Sequence, residues 1–226
     1  MSANGGLLRI NDGWSNPEGC GKVNSPKDSL LIIGAGQYGL VAFEIAQAMG
    51  CFGKIAFLDD TYQVSVASHA ACHPERSVSE VEGSNPAVIG STRDIERFSA
   101  DYHYGFVAIG NPDVRRKLTE QLRYNSISPA VLVHPSAYVS PCAQLQEGVC
   151  IEPNATVQTG ASIGSATFVA SGAVIRHNAT VGDFCHIDCN AVVESGAVVP
   201  AATKVSCNSV FAKIQGAVSG ALEDLV

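Results

Sequence analysis

Between Val133 and Val205 an aliphatic residue returns every six positions: Val133, Val139, Leu145, Ile151, Val157, Ile163, Val169, Ile175, Val181, Ile187, Val193, Val199 and Val205. Four residues after each stop the side chain is small (Ala137, Ala143, Ala155, Ala161, Thr167, Ala173, Ala179, Cys185, Ala191, Ala197, Thr203, Ser209), Val149 being the one exception. Neither a helical period of 3.6 nor a plain alternation keeps one residue class in phase over so many steps, which argues against a helix bundle and an ordinary hairpin sheet. A parallel β-solenoid with a triangular coil satisfies the pattern. Each six-residue side turns its aliphatic residue into a narrow core and fits its small residue into the corner. Eighteen residues close a coil, coils join through parallel ladders about 4.8 Å apart, and no coil buries its core face alone.

Composition agrees with short turns in place of charged helix faces: 22 glycines and only 15% charged residues. A formal net charge of -7 and a pI near 5.3 leave no basic face for a phosphate backbone, so a nucleic-acid partner is excluded. No window reaches the roughly 18 to 20 apolar residues of a membrane span, and residues 1–28 contain no signal-peptide core, which together point to a cytoplasmic protein without a membrane partner. Of the eight cysteines, none forms a CxxC pair, and the five within the repeat (Cys142, Cys150, Cys185, Cys189, Cys207) are expected to be small apolar fillers with free thiols.

Residues 1–28 are polar and aperiodic and read as a flexible arm. The apolar run Ser29 to Ile33 then leads into Gly34-Ala35-Gly36-Gln37-Tyr38-Gly39 and a helical pattern from Leu40 to Met49. Strand, glycine turn and helix in that order make a phosphate site, where the backbone approaches closely and unpaired helix N–H groups face the anion. A second strand, Lys54 to Leu58, ends in Asp59-Asp60, the place from which a ribose hydroxyl or base edge is held. Further strands are expected at Ala87 to Gly90 and Phe106 to Ile109, and helices at Ser91 to Phe98 and Asp113 to Tyr124. The polar stretch 61–86 holds His69, Cys72 and His73 without the further ligands zinc requires, so no metal is expected there. Residues 29–130 thus read as one mononucleotide-sized α/β domain of Rossmann-like type, residues 131–210 as the solenoid, and Phe211 to Val226 as a short helix or tail.

Five segments in order, IIGAGQYG at 32–39, FLDD at 57–60, VIGS at 88–91, AIGNPDVR at 108–115 and HPSAYVSPCA at 134–143, resemble the sugar acyltransferases of the NeuD and PglD type, which pair an N-terminal α/β domain with a left-handed parallel β-helix. The resemblance implies handedness, which spacing alone does not give. It implies that Gly34, Gly36 and Gly39 take the phosphates of a nucleotide-sugar, with Gln37 and Tyr38 of the same turn also contacting substrate, that Asp59 and Asp60 take the uridine, and that Gly110, Asn111 and Arg115 border the same crevice. It further implies a homotrimer with acetyl-CoA in the groove between adjacent solenoids, His177 as general base with Asn178 in place of the usual carboxylate, and His186 as a second active-site histidine. Tyr38 stands where the family usually has histidine.

Acyl transfer from a thioester asks for such groups. An attacking amine or hydroxyl must lose a proton as the tetrahedral intermediate forms, and a neutral imidazole accepts it near pH 7. The oxyanion needs donors, for which the turn Ser195-Gly196 is the candidate, with His186 beside the cofactor. Cys185 reads as core and not as a nucleophile. The principal alternative is a nucleotide-sugar-binding protein without turnover, its solenoid too short for coenzyme A. A zinc hydratase on the same solenoid needs three histidines, and a nicotinamide oxidoreductase needs a second nucleotide half; neither requirement is met.

Overall fold

The computed structural model describes residues 28–61 and 87–213. The stretch with His69, Cys72 and His73, the arm 1–27 and the tail 214–226 lie outside the described residues. The first domain runs β1 (Asp28–Ile33), α1 (Gln37–Met49), β2 (Phe52–Leu58), β3 (Val88–Gly90), a 3-10 helix (Thr92–Phe98), β4 (Tyr104–Val107), α2 (Pro112–Tyr124) and β5 (Ser128–Pro129). All five strands are parallel, in the order β3-β2-β1-β4-β5. Leu30 to Ile33 are fully buried because helices cover both faces of a parallel sheet, which is why β1 reads as an unbroken apolar run. The segment Thr92–Phe98, expected as an ordinary helix, is a 3-10 helix closed by a capping box between Ser91 and Asp94. β5 has no periodic signature and was not expected; Ala130 N–H donating to the Gly105 carbonyl (2.8 Å) carries the sheet into the solenoid.

From Leu132 onward fourteen two-residue strands build three parallel sheets, the sides of a triangular prism. The first side stacks Leu132–Val133, Cys150–Ile151, Phe168–Val169, His186–Ile187 and Lys204–Val205. The second stacks Tyr138–Val139, Thr156–Val157, Val174–Ile175, Val192–Val193 and Val210–Phe211. The third stacks Gln144–Leu145, Ser162–Ile163, Thr180–Val181 and Val198–Val199. The second residue of each strand points inward, and these residues with the small corner residues form one continuous core. Phe211, expected to open a C-terminal helix, is instead a fourteenth stop: it pairs with Val193 and packs on that core.

A third periodic position completes the coil. Residues 148, 154, 160, 166, 172, 178, 184, 190, 196, 202 and 208 all have positive φ, and eight of these eleven are Gly or Asn, the residues that tolerate the left-handed region. The three others, Ala166, Phe184 and Ala202, share one corner. The thiols divide: Cys150 and Cys185 are buried fillers as expected, whereas Cys142, Cys189 and Cys207 are exposed.

Candidate functional site

The crevice in the α/β domain opens where the sheet order reverses, between the ends of β1 and β4. Two of its glycines are required by packing. Gly34 has φ +103°, and a Cβ on Gly39 would collide with the Gly34 carbonyl oxygen. Gly36 and Gly110 are different: both are exposed, and a Cβ on either would meet nothing within 4 Å. Gly36 is the N-cap of α1, whose first turn has neither a side-chain cap nor an acidic residue, and Gln37 is exposed beside it. Asn111, by contrast, caps α2, accepting from Asp113 N–H (3.0 Å) and Val114 N–H (3.1 Å). The uncapped start of α1 therefore leaves helix N–H groups without a side-chain acceptor at this end of the crevice.

Both aspartates serve the turns around it. Asp59 accepts from Ala35 N–H (2.7 Å) within the glycine turn and from the N–H and hydroxyl of Thr61. Burial works to raise its carboxyl, but the bonds from Thr61 and Ala35 outweigh it and hold the group below the ordinary range. Asp60 accepts from the hydroxyls of Thr92 (2.6 Å) and Ser91 (2.9 Å), which lower its carboxyl likewise and anchor the 3-10 helix to β2. A uridine would meet carboxylates already committed to the scaffold.

Arg115 lies behind the crevice wall. It is 1% exposed and crosses to the solenoid, where Nε donates to the Ala166 carbonyl (2.8 Å) and Nη2 to those of Phe184 (2.6 Å) and Cys185 (3.3 Å), while Nη1 donates to Ile109 (2.7 Å) and Gly110 (3.0 Å). All five N–H donors are thus engaged by backbone carbonyls, which leaves none free for a ligand. Burial lowers its pKa to about 10, leaving it charged at neutral pH. The residues it holds include Ala166 and Phe184, two of the three corner residues that adopt positive φ without being Gly or Asn. Its guanidinium also lies 4.1 Å over the Phe168 ring.

Phe168 is the residue that sequence reasoning missed. It stands on the outside of the first prism side, in line with Leu132 and Cys150, and all three are fully buried because the α/β domain covers them. The available signal was an apolar residue at an outward position repeated at a spacing of eighteen. Tyr38 stacks on Phe168 (centroids 4.3 Å apart), and its hydroxyl, buried beside Cys150 and Glu152, finds no oxygen or nitrogen partner among the described residues. Tyr38 therefore faces the interdomain seam and not the phosphates. It does approach His186 (6.1 Å between ring centroids), which extends the same side beyond Phe168 and is half-buried. Burial lowers the His186 pKa, against the pull of Asp188, so the imidazole is neutral at pH 7. Asp188 is paired with Lys204 (3.3 Å).

His177 occupies another place. It lies in the corner between the second and third sides, whereas the α/β domain docks on the first side and the corner at 182–185. Nine residues, one and a half sides of the prism, separate it from His186, so one chain does not bring the two histidines together. His177 is exposed and tightly held: its N–H donates to Gln158 Oε1 (3.0 Å) on one neighbouring coil, its carbonyl accepts from Gly196 N–H (3.1 Å) on the other, and Nδ1 lies 3.4 Å from Ser195 Oγ. Gly196 N–H is consequently not a free oxyanion donor. Asn178 is in the left-handed region (φ 57°) and lays its amide oxygen over Gly160 of the coil before, as Asn190 does over Gly172, so it is a corner residue and not the partner of the imidazole. Cys185 is buried, with its thiol on the Pro200 carbonyl (3.0 Å) and its pKa raised by burial, as befits core. Among the described residues no three His, Cys, Asp or Glu side chains could hold a metal, and no helix is long and apolar enough to cross a membrane.

Residues 29–122 match the PglD N-terminal domain model. The acetyltransferase domain of PglB from Neisseria gonorrhoeae is 27% identical, with a TM-score of 0.66 over 81% of this chain and 91% of that one. The chain resembles the PglD/NeuD-type sugar N-/O-acetyltransferases. The same PglB domain in complex with acetyl coenzyme A is 26% identical at a TM-score of 0.63, over 82% and 93% of the two chains. A variant of perosamine N-acetyltransferase from Caulobacter crescentus, in complex with CoA and GDP-perosamine, shares the fold at 24% identity, with a TM-score of 0.64 over 83% and 90%. No curated protein matches the chain. The solenoid is thereby a left-handed β-helix like those of the matched acetyltransferases, and the likeness supports a general acyl-transfer function that depends on coenzyme A.

Proposed function

We propose that this chain is an acetyl-CoA-dependent acetyltransferase acting on an amino or hydroxyl group of a nucleotide-activated sugar, and that it works as a homotrimer whose sites are each shared by two copies. The observation that carries the reading is the placement of His177, exposed and preorganised on the edge away from the docking side, while the nucleotide crevice and His186 lie on that side. Each half lacks what the other has. A neighbouring copy that presents its His177 edge to the crevice and His186 of the first completes one site.

In that site the phosphates sit at the uncapped start of α1 and the sugar extends toward His186. His177 takes the proton from the attacking amine or hydroxyl as the new bond forms at the thioester carbonyl. His186, neutral through burial, donates a hydrogen bond to the oxyanion, which collapses to expel the thiolate of coenzyme A. The departing thiolate recovers the proton. The donor would lie along the His177 edge, where Ser195 and Lys213 follow at one and two coils, roughly 10 Å in all. The apolar outward residues of the second side, Val174, Val192 and Val210, adjoin that edge and form the surface on which copies meet.

Thiol release from acetyl-CoA, measured with a panel of UDP- and GDP-linked amino-hexoses, tests the reading. His177→Ala is expected to lose on the order of 100-fold or more in kcat, and unchanged turnover would remove His177 from the mechanism.

A further inference from the structure

In the corner between the second and third sides that carries His177, the residue one coil on is Ser195, and its hydroxyl lies against the imidazole, 3.4 Å from Nδ1. We infer that Ser195 is the positioning residue of the proposed base: it accepts from Nδ1–H, fixes the tautomer with the lone pair on Nε2, and aims Nε2 into the groove between copies. This deepens the acyl-transfer reading and rests on it. A histidine ring is oriented by whatever its second nitrogen meets. Among the described residues no carboxylate is bonded to the His177 ring, and the neighbouring Asn178 turns its amide onto Gly160.

The main chain of His177 is pinned from both sides, by Gln158 Oε1 on its N–H and by Gly196 N–H on its carbonyl, which leaves rotation of the ring as the remaining freedom. Ser195 removes it. The bond persists through the reaction, since Nδ1 carries its proton both before and after Nε2 receives one from the acceptor, and no tautomer exchange is needed. A neutral hydroxyl orients the ring without adding charge, so the expected gain is that of one ordinary hydrogen bond, about 3- to 10-fold in rate.

The test uses the full chain with three variants. With acetyl-CoA and a nucleotide-linked amino-hexose that turns over, Ser195→Ala is expected to lower kcat about 3- to 10-fold while the KM for the nucleotide-sugar stays unchanged. Ser195→Thr is expected to restore it, because Thr159 already occupies the equivalent corner of an earlier coil. Nitrogen-15 spectra of the His177 ring, which need no substrate, are expected to show the Nδ1–H tautomer in the wild type and its loss in Ser195→Ala. In a His177→Ala background the serine change is expected to have no further effect. Wild-type kcat and an unmoved tautomer in Ser195→Ala would overturn the positioning role while leaving the base reading intact. A loss in Ser195→Ala that threonine does not restore, with the tautomer unmoved, would equally overturn it. Full activity in His177→Ala alone would instead defeat the base reading.

Discussion

A guanidinium 1% exposed, with no carboxylate partner among the described residues, is held by backbone carbonyls and the Phe168 ring, and that fixes what replacing Arg115 does. Arg115→Ala strands the carbonyls of Ala166 and Phe184, and each buried acceptor left alone costs about 1–3 kcal/mol. The expected result is a loss of roughly 3 kcal/mol in a denaturant titration, with Arg115→Lys intermediate, because one ammonium cannot reach carbonyls on both domains at once. A side chain bordering substrate would instead raise KM and leave stability alone. Asn178 allows the opposite experiment. Its left-handed backbone favours Gly and disfavours Ala, so Asn178→Gly is expected to hold its denaturation midpoint, while Asn178→Ala loses about 1 kcal/mol.

At the scale of elements, the start of α1 separates folding from binding. Gly36 has extended backbone (φ -73°, ψ -171°) and open space around it, so an aspartate fits there and caps the helix. Gly36→Asp is therefore expected to match the wild-type melting temperature or slightly exceed it, since Asp in place of Gly at an N-cap contributes only about a few tenths of a kcal/mol, and to lose nucleotide-sugar binding in calorimetry because its carboxylate occupies the anion position. Retained binding would place the phosphates elsewhere. His186 gives the docking side a pH signature. Its folded pKa lies below the unfolded value of 6.5, so the unfolded chain takes up a proton first and stability falls as pH drops below about 6.5 toward the folded value. His186→Gln is expected to flatten that part of the stability profile. The elements themselves were legible in the sequence because each inward residue of the six-residue period is dictated by a core that every coil repeats. The outward residues were not. Arg115 reaches partners 51 and 69 positions away and Asp60 reaches one 32 positions away, and a polar side chain whose partner is that distant looks the same in sequence as one awaiting a ligand.

For the whole molecule the decisive matter is which copy of His177 serves which crevice. The prism turns its first side to its own α/β domain through Phe168, Tyr38 and Arg115, whose buried stacking and hydrogen bonds tie the two together and keep the opposite edge away from the crevice of the same chain. Two inactive variants then make a direct experiment. Gly36→Asp keeps its His177 but cannot take the nucleotide, and His177→Ala keeps its crevice but has no base. Separately each is expected to be inactive in thiol release. Dissociated, mixed in equal amounts and reassembled, they are expected to recover about a quarter of wild-type activity, because in a closed ring a functional site needs the crevice of one kind beside the histidine of the other. Sites confined to single chains would recover none, and mixed trimers verified by native mass spectrometry but still inactive would refute the shared site. The same logic assigns the second side its role: Val192→Asp introduces a charge into the apolar stripe, and it is expected to yield monomers that bind the nucleotide-sugar yet release no thiol.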